Sequence, residues 1–564
     1  MKSIYSQKPW LKNYPDRVPH EMDVPTGTSL DDFKAAAAAR AYGPAVYYFD
    51  YPVTYGEMER LSSGFAAALV DLGVKKGDRI VVDLQNIPQF PIAVYGSWKA
   101  GATVVPINPM YKEREISYFL KDSGSTVFLV MEETAAGLDL NSFANTSLKH
   151  VITASALDFI PQGAQIPGAI AQLQKIRLPG TLDMMEIIRK YDGLSVADPG
   201  LGPSDLAYLT YTSGTTGPPK GAMNTHGNIA FNARVYEVMQ KLEEDDVILG
   251  VAPLFHVTGE VAHLASAALM AIPVILYYRF DPAETLRLIE RWKATTTVAA
   301  ITVYIALMGH PDMGKRNLKS LVKAYSGGAP VSDALVKRFE EVTGLYIYNV
   351  YGMTETNSPS HIVPWGMRAP VDRESGALSV GVPVPNCTAR IMDLENGAAE
   401  LPPGSVGEIV ETGPIVVPGY WNKPDETRHA IREGWLYTGD VGKMDQDGWF
   451  YLVDRKKDMI VASGFKVWPR DVEDVIYQHP AVREAAVVGE PDPYRGETVK
   501  AYVALKSDME GSITPEEIIS FCKARMAAYK YPRSVEFVPE IPKTLTGKFL
   551  RRSLRERGNE GKGA

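Results

Sequence analysis

The run Tyr211-Thr212-Ser213-Gly214-Thr215-Thr216-Gly217-Pro218-Pro219-Lys220-Gly221 brings together the groups that bind a polyphosphate. Its glycines let the backbone approach an anion closely. The hydroxyls of Thr212, Ser213, Thr215 and Thr216, with the backbone N–H groups, can donate to phosphate oxygens, and Lys220 supplies positive charge. Pro218-Pro219 stiffens the exit. The loop is not of the type in which Gly-Lys-Ser/Thr opens a helix, because Lys220 is followed by Gly221-Ala222. A flexible linker is the blander reading of so many Gly, Ser and Thr residues. It rarely carries Pro-Pro-Lys-Gly straight after a buried strand, and Leu206–Tyr211 has the pattern of one. Thr225 is placed to cap the helix that follows.

At this loop the sequence resembles the adenylate-forming superfamily of acyl-CoA synthetases, adenylation domains and beetle luciferases, whose core motif reads Tyr-Thr-Ser-Gly-Thr-Thr-Gly-x-Pro-Lys-Gly. Five further segments resemble the family's motifs, in its order: Ser326-Gly327-Gly328-Ala329-Pro330, Asn349-Val350-Tyr351-Gly352-Met353-Thr354-Glu355, Gly434 to Asp440, Val453 to Asp458, and Pro542-Lys543-Thr544-Leu545-Thr546-Gly547-Lys548. The resemblance covers nearly the whole chain. It implies an ATP site built from Thr212, Ser213, Gly214, Thr215, Thr216, Gly217, Lys220, Gly328, Ala329, Pro330, Asn349, Tyr351, Gly352, Thr354, Asp440, Arg455 and Lys548. Tyr351 would stack on adenine, Thr354 contact the α-phosphate, and Asp440 accept the ribose hydroxyls. Glu355 and Thr212 would serve Mg²⁺, a hard cation that takes one or two protein oxygens beside phosphates and water. Lys548 is the expected catalytic lysine, with Thr354 and Glu355. Without the motif around it, a lysine beside Arg551 and Arg552 reads as solvated.

The implied reaction has two steps. A carboxylic acid is joined to AMP with loss of pyrophosphate, and the acyl group then passes to coenzyme A. Lys457 falls on the family's hinge, and Ser463 and Gly464 on the coenzyme A channel. The stretch Glu433 to Lys457 and the opening Pro9-Trp10-Leu11 with Tyr14-Pro15 resemble bacterial long-chain fatty acid–CoA ligases. His256, Thr258 and Gly259 fall on the acyl pocket, with His256 either gating it or serving as a core histidine. Small Thr258 and Gly259, and the apolar run Ala299 to Tyr304, suit an apolar chain, and no acid in these runs offers itself to an α-ammonium. A medium- or long-chain fatty acid is therefore the expected substrate, with an aromatic or polycyclic acid as its competitor. A ligase loading a carrier protein, a non-catalytic relative and a luciferase-like oxygenase are the competing classes. Retention of Lys220, Glu355, Asp440, Arg455 and Lys548 argues against a non-catalytic relative.

Positioning such a site calls for several domains, since 564 residues exceed what one core supports. The expected fold class is α/β: a large N-terminal domain of βαβ-type subdomains plus a β-rich subdomain, and a small mobile α+β C-terminal domain. Strand-like Arg79–Leu84, Ala102–Ile107 and Thr126–Met131 alternate with helix-like Pro88–Lys99 and Lys112–Asp122, the signature of a largely parallel sheet. Short strands and turns take over near Gly404, and Glu132 to Pro203 is polar and weakly patterned. The expected divisions are 1–455, with the β-rich part from about 370, a hinge at 456–458, and 459–564. Val261 to Tyr278 has the length of a membrane span, but Pro273 and its small residues predict a buried helix and then a strand. Net charge −8 argues against nucleic acid. Two cysteines and a polar start predict a cytoplasmic protein. Peripheral membrane contact and a homodimer are compatible with this composition.

Overall fold

The structure is a computed structural model. It describes residues 3–165, 167–212, 218–329, 331–373, 376–395, 397–455, 458–462, 465–492, 496–543 and 549–560. Of the residues singled out above, Ser213, Gly214, Thr215, Thr216, Gly217, Pro330, Lys457, Ser463, Gly464 and Lys548 lie outside the described residues.

The chain is a mixed α/β protein with four sheets. The first has seven strands in the order Leu182–Asp183, His150–Ala154, Val127–Met131, Arg79–Asp83, Thr103–Pro106, Leu206–Thr212 and Lys220–Thr225. All neighbours are parallel except the last pair, which is antiparallel with Tyr211 opposite Gly221 and Thr212 opposite Lys220. The alternation expected over residues 79–131 is present within a residue or so at each end. The helix Glu113–Ser123 stops at Gly124, whose φ of 65° suits a residue without a Cβ. The helix Gln89–Lys99 is buried at every position, which places it inside the core rather than on its surface.

The weakly patterned stretch does carry structure. His150–Ala154 pairs with Val127–Met131, and Leu182–Asp183 extends the same sheet. These strands are short and separated by long polar loops, so no periodicity builds up over a window.

A nine-stranded sheet has the order Val382–Pro383, His361–Ile362, Ile347–Tyr351, Lys323–Ser326, Thr296–Ala299, Ile248–Leu249, Val274–Leu276, Pro44–Tyr48 and Tyr51–Thr54. The apolar segment near residue 261 differs in detail from the helix expected. It opens as a π-helical turn, Gly259–Ala265, continues as an α-helix, Ser266–Met270, and ends in the strand Val274–Leu276. Among the described residues, no helix is long and apolar enough to cross a membrane.

An antiparallel sheet of five strands, Thr388–Met392, Gly407–Thr412, Ile431–Arg432, Trp435–Met444 and Phe450–Arg455, supplies the β-rich part. The first residues of the chain strap it down. Tyr5 donates to the Leu401 carbonyl (2.8 Å), Tyr14 to the Pro383 carbonyl (2.6 Å), and buried Trp10 meets Phe450 edge-on. Gly448 has φ +86°, and a Cβ there would stand 2.5 Å from the Trp10 nitrogen.

The fourth sheet holds Ile460–Ala462, Phe465–Val467, Val482–Asp492, Gly496–Leu505 and Ser534–Phe537. Its helices Pro469–Ile476 and Pro515–Lys523 pack on a separate core that includes Val472, Val487, Val503 and Ile518. The Thr514–Glu517 capping box expected from the sequence is formed. Cys387 and Cys522 are both free and buried.

Asp83 ends a central strand of the first sheet, fully buried, and neither carboxyl oxygen is hydrogen-bonded among the described residues. Burial first, and then nearby Glu133, push it up to about 8. The folded chain therefore keeps a proton there that the unfolded chain loses near pH 4, so stability falls as pH rises from about 4 to about 8. Asp83→Asn removes that loss. Its stability advantage over the wild type should grow by roughly 1–3 kcal/mol between about pH 5 and about pH 8 in denaturant titrations. A constant difference across that range would contradict a neutral Asp83.

Candidate functional site

Thr212 and Lys220 are the two strand ends from which the glycine-rich loop departs, and the Thr212 hydroxyl lies 3.4 Å from the Lys220 carbonyl. Around them the strand pair is tightly packed. Tyr211 donates to Asp122 (2.7 Å), whose other oxygen accepts from Lys423 (3.0 Å), and Tyr118 donates to the Pro219 carbonyl (2.6 Å). A Cβ on Gly221 would sit 2.9 Å from the Leu209 side chain.

The free edge of Lys220–Thr225 is covered by Gly419–Trp421. Met223 donates its N–H to Gly419, Trp421 donates to Gly221, and Ala222 bridges to Tyr420. This brings Tyr420 under Lys220. The ammonium lies 5.3 Å from the ring centroid and pairs with Glu426. The hydrogen bond from Lys220 holds the Glu426 carboxyl below its usual range.

The hydroxyl of the same tyrosine reaches Glu355. Tyr420 donates to Glu355 Oε1 at 2.7 Å, and Glu355 is 7% exposed. Its other oxygen takes no hydrogen bond from the described residues. Glu355 sits in a 3₁₀ turn, Thr354–Thr356, just past the strand Ile347–Tyr351. The turn ends in two left-handed residues, Asn357 (φ 55°) and Ser358 (φ 59°).

Three asparagines spaced by four hold this turn. Asn224 donates to the Thr354 carbonyl (2.9 Å) and to the Asn357 side-chain oxygen (2.8 Å). Asn232 reaches the carbonyls of Thr356, Asn357 and Ser358 at 2.7–2.8 Å. Asn228 donates to the Pro414 and Val416 carbonyls (2.7 and 3.2 Å), a segment that also binds Asn357 through the Ile415 carbonyl (2.8 Å). Asn228 and Asn232 lie on the helix His226–Gln240, and Thr225 forms the expected N-terminal cap with Asn228.

Tyr351 is buried and donates to Asp440 Oδ2 at 2.8 Å. Burial, then the charge of Asp440, raise this phenol well above its ordinary value, so it remains a donor at every working pH. Asp440 lies on the strand Trp435–Met444, and Arg455 is its partner in the ladder. Buried beside Tyr351 is a polar group in which the Ser360 hydroxyl donates to Glu411 (3.0 Å) and His361 lies 3.3 Å from the same oxygen. Asn349 donates to the Ser379 carbonyl (3.0 Å). Gly352 packs against Ser358–Ser360 so closely that a Cβ would stand 3.0 Å from the Pro359 Cα. Gly328 (φ +80°) is exposed and Ala329 half-buried, just beyond the strand Lys323–Ser326.

His256 and Thr258, expected in an acyl pocket, are half-buried, so His256 is not enclosed as a core histidine would be. Gly259 has no room for a side chain, since a Cβ would meet the Pro253 carbonyl at 2.2 Å. Asn86 fixes this segment from the first sheet by donating to the Gly250 and Ala252 carbonyls and accepting from the Leu254 N–H.

The sequence expectations thus meet in two clusters, Tyr351 with Asp440 and Lys220 with Glu355. Tyr420, Glu426, Asn86 and the three asparagines were not among the expected residues. The spacing of Asn228 and Asn232 is a legible signal of one helical face, whereas Asn224 stands on the strand before the helix. Tyr420 and Glu426 carried none, standing two hundred residues from the loop they serve.

The AMP-binding enzyme family matches residues 33–421, and its C-terminal domain matches residues 471–548. A long-chain-fatty-acid–CoA ligase of Bacillus subtilis (strain 168) is 37% identical, with 99% of each chain covered. A feruloyl-CoA synthase of Amycolatopsis is 34% identical over 92% of this chain and 96% of its own. The structure of the anthranilate CoA ligase AuaEII in complex with anthranoyl-AMP superposes with a TM-score of 0.86 at 27% identity, covering 96% of this chain and 99% of that one.

Tyr420→Phe keeps the ring beneath Lys220 and removes only the hydroxyl that Glu355 accepts from. Left without that donor, Glu355 should lose its fixed orientation, and the apparent KM for ATP should rise on the order of 10-fold, about the worth of a hydrogen bond to a charged group. Steady-state kinetics checks this, and an unchanged KM and kcat would remove Tyr420 from the site.

Proposed function

This chain belongs to the AMP-binding enzyme family, and from that premise we propose which acid it activates and how its residues divide the work. It is an AMP-forming acid–CoA ligase. We propose that its acid is a medium- or long-chain fatty acid. The observation that carries this reading is the full-length similarity to the Bacillus subtilis long-chain-fatty-acid–CoA ligase. The runs 253–259 and 299–304 themselves contain no acidic residue to meet an α-ammonium, which agrees with it. An aromatic acid is the second reading, favoured by the similarity to the feruloyl-CoA synthase and to the anthranilate CoA ligase structure.

In the first half-reaction a carboxylate oxygen attacks the α-phosphorus of ATP and pyrophosphate leaves. Two anions must meet, so the barrier is chiefly electrostatic. Lys220 and the loop residues Thr212 to Gly217 hold the departing phosphates, Thr354 donates to the α-phosphate, and Lys548 neutralises charge at the reacting oxygens. Tyr351 and the Gly328–Pro330 turn seat the adenine, and Asp440 with Arg455 holds the ribose. Glu355 fits a divalent cation, since Tyr420 occupies one oxygen and the other accepts nothing from the described residues. Together with Thr212 it would bind Mg²⁺, which when present neutralises phosphate charge. In the second half-reaction the coenzyme A thiolate displaces AMP from the adenylate. Residues 459–564 swing about Lys457 between the two steps, so that Lys548 leaves and the channel at Ser463 and Gly464 forms.

A panel of carboxylic acids assayed for coenzyme A-dependent AMP release tests the substrate. Rates should rise with chain length into the medium-to-long range, whereas preference for cinnamic- or benzoic-type acids would favour the second reading. Adenylate that accumulates despite coenzyme A would point instead to a carrier-protein acceptor. Lys548→Ala should cut acid-dependent exchange of pyrophosphate into ATP by at least about 100-fold while sparing thioester formation from supplied adenylate. Full exchange in that variant would overturn its role.

A further inference from the structure

Glu260 follows Thr258-Gly259 and is the second residue of the π-helical turn Gly259–Ala265. It is fully buried, and among the described residues its side chain has one hydrogen-bonding partner, Thr210. Both carboxyl oxygens lie 3.1 Å from the Thr210 hydroxyl oxygen. A hydroxyl has one proton, so an ionised Glu260 would leave one oxygen as a bare buried charge. A carboxylic acid satisfies both contacts, because one oxygen accepts from the Thr210 hydroxyl while the other donates to it.

The surroundings agree. Among the groups on elements packed against the turn, Arg234 is engaged by Asp32 and Lys34 by Asp198. His263, in the same turn, is fully buried and pushed down to about 3 by burial, so it is neutral. Burial pushes Glu260 itself up to about 8. Tyr208, the neighbouring buried phenol on the strand, is raised by burial and by Glu260.

Thr210 stands two residues before Thr212, on the strand that ends at the phosphate loop. The contact therefore joins two sites that are remote in sequence, and π-helical turns recur where a helix is adapted to function. We propose that Glu260 works as a neutral carboxylic acid in a reciprocal hydrogen-bonded pair with Thr210. It is thereby a positioning residue that locks the acyl-side turn to the strand delivering the phosphate loop. The functional half of this rests on the reading of Thr258 and Gly259 as acyl-side; the protonation half does not.

Five full-length variants test it. In Glu260→Gln the amide donates and accepts as the acid did. Glu260→Leu removes both bonds, and Glu260→Leu/Thr210→Val replaces the pair by an apolar contact that buried cores accept without loss of stability. Thr210→Ser against Thr210→Val gives the same comparison should the double variant not fold. An infrared difference spectrum, wild type minus Glu260→Gln at neutral pH, should show a protonated-carboxyl band. Pyrophosphate exchange with the best acid of the panel should stay within about threefold of wild type in Glu260→Gln. In the double variant kcat should fall on the order of 10-fold at unchanged thermal midpoint, the penalty of misaligned reactants. No carboxyl band, or a Glu260→Gln enzyme as damaged as Glu260→Leu, would overturn the neutral acid. Wild-type exchange kinetics in the double variant would overturn the positioning role while leaving the band, and the identity of the acid, untouched.

Discussion

The turn that follows Glu355 is the constraint on which the rest of the site depends. Asn357 and Ser358 both lie in the left-handed region, which costs an L-residue about 1–2 kcal/mol. Such a conformation persists only where its surroundings over-determine it. Here the Asn232 amide meets three successive carbonyls and Asn224 meets the turn at both ends. The amide has two protons for three acceptors, so the bonds are shared, and no single one could slip without loosening the others. Because the turn is held at so many points, the backbone of Thr354 and Glu355 is presented in one conformation.

From that turn the site is connected through one side chain. Tyr420 donates to Glu355, bridges to Ala222 through its backbone and underlies Lys220 with its ring. It therefore joins the end of the nine-stranded sheet to the edge of the seven-stranded one. Asn86, just past a strand of the first sheet, does the same for residues 250–254. Parallel sheets leave their clefts beyond the carboxyl ends of the strands, and Asp83, Thr212, Ser326 and Tyr351 each close such a strand. The chain's first residues act at longer range, since Tyr5, Trp10 and Tyr14 tie the sheet bearing Asp440 to the body that bears Tyr351.

Much of this was legible in the sequence, for physical reasons. Buried strands such as Val127–Met131 are unbroken apolar runs, and Thr225 and Thr514 mark helix starts by chemistry local to four residues. Tyr351, Glu355 and Asp440 were legible through the motifs around them. What stayed hidden was set by distance or dilution. Glu426 is an ordinary surface carboxylate until folding places it beside Lys220, and no local pattern reports that. His150–Ala154 was lost among polar loops. A π-helical turn has no distinct sequence period, so the sequence of Val261–Ala265 predicts only an ordinary helix.

Formation of an acyl-adenylate is tested most directly by isotope transfer. The acid is supplied with both carboxylate oxygens labelled, together with ATP and coenzyme A, and the released nucleotide is examined by mass spectrometry. Attack of the carboxylate on the α-phosphorus predicts one labelled oxygen in AMP and none in pyrophosphate. Label in inorganic phosphate with ADP as the nucleotide product, or AMP without label, would contradict it.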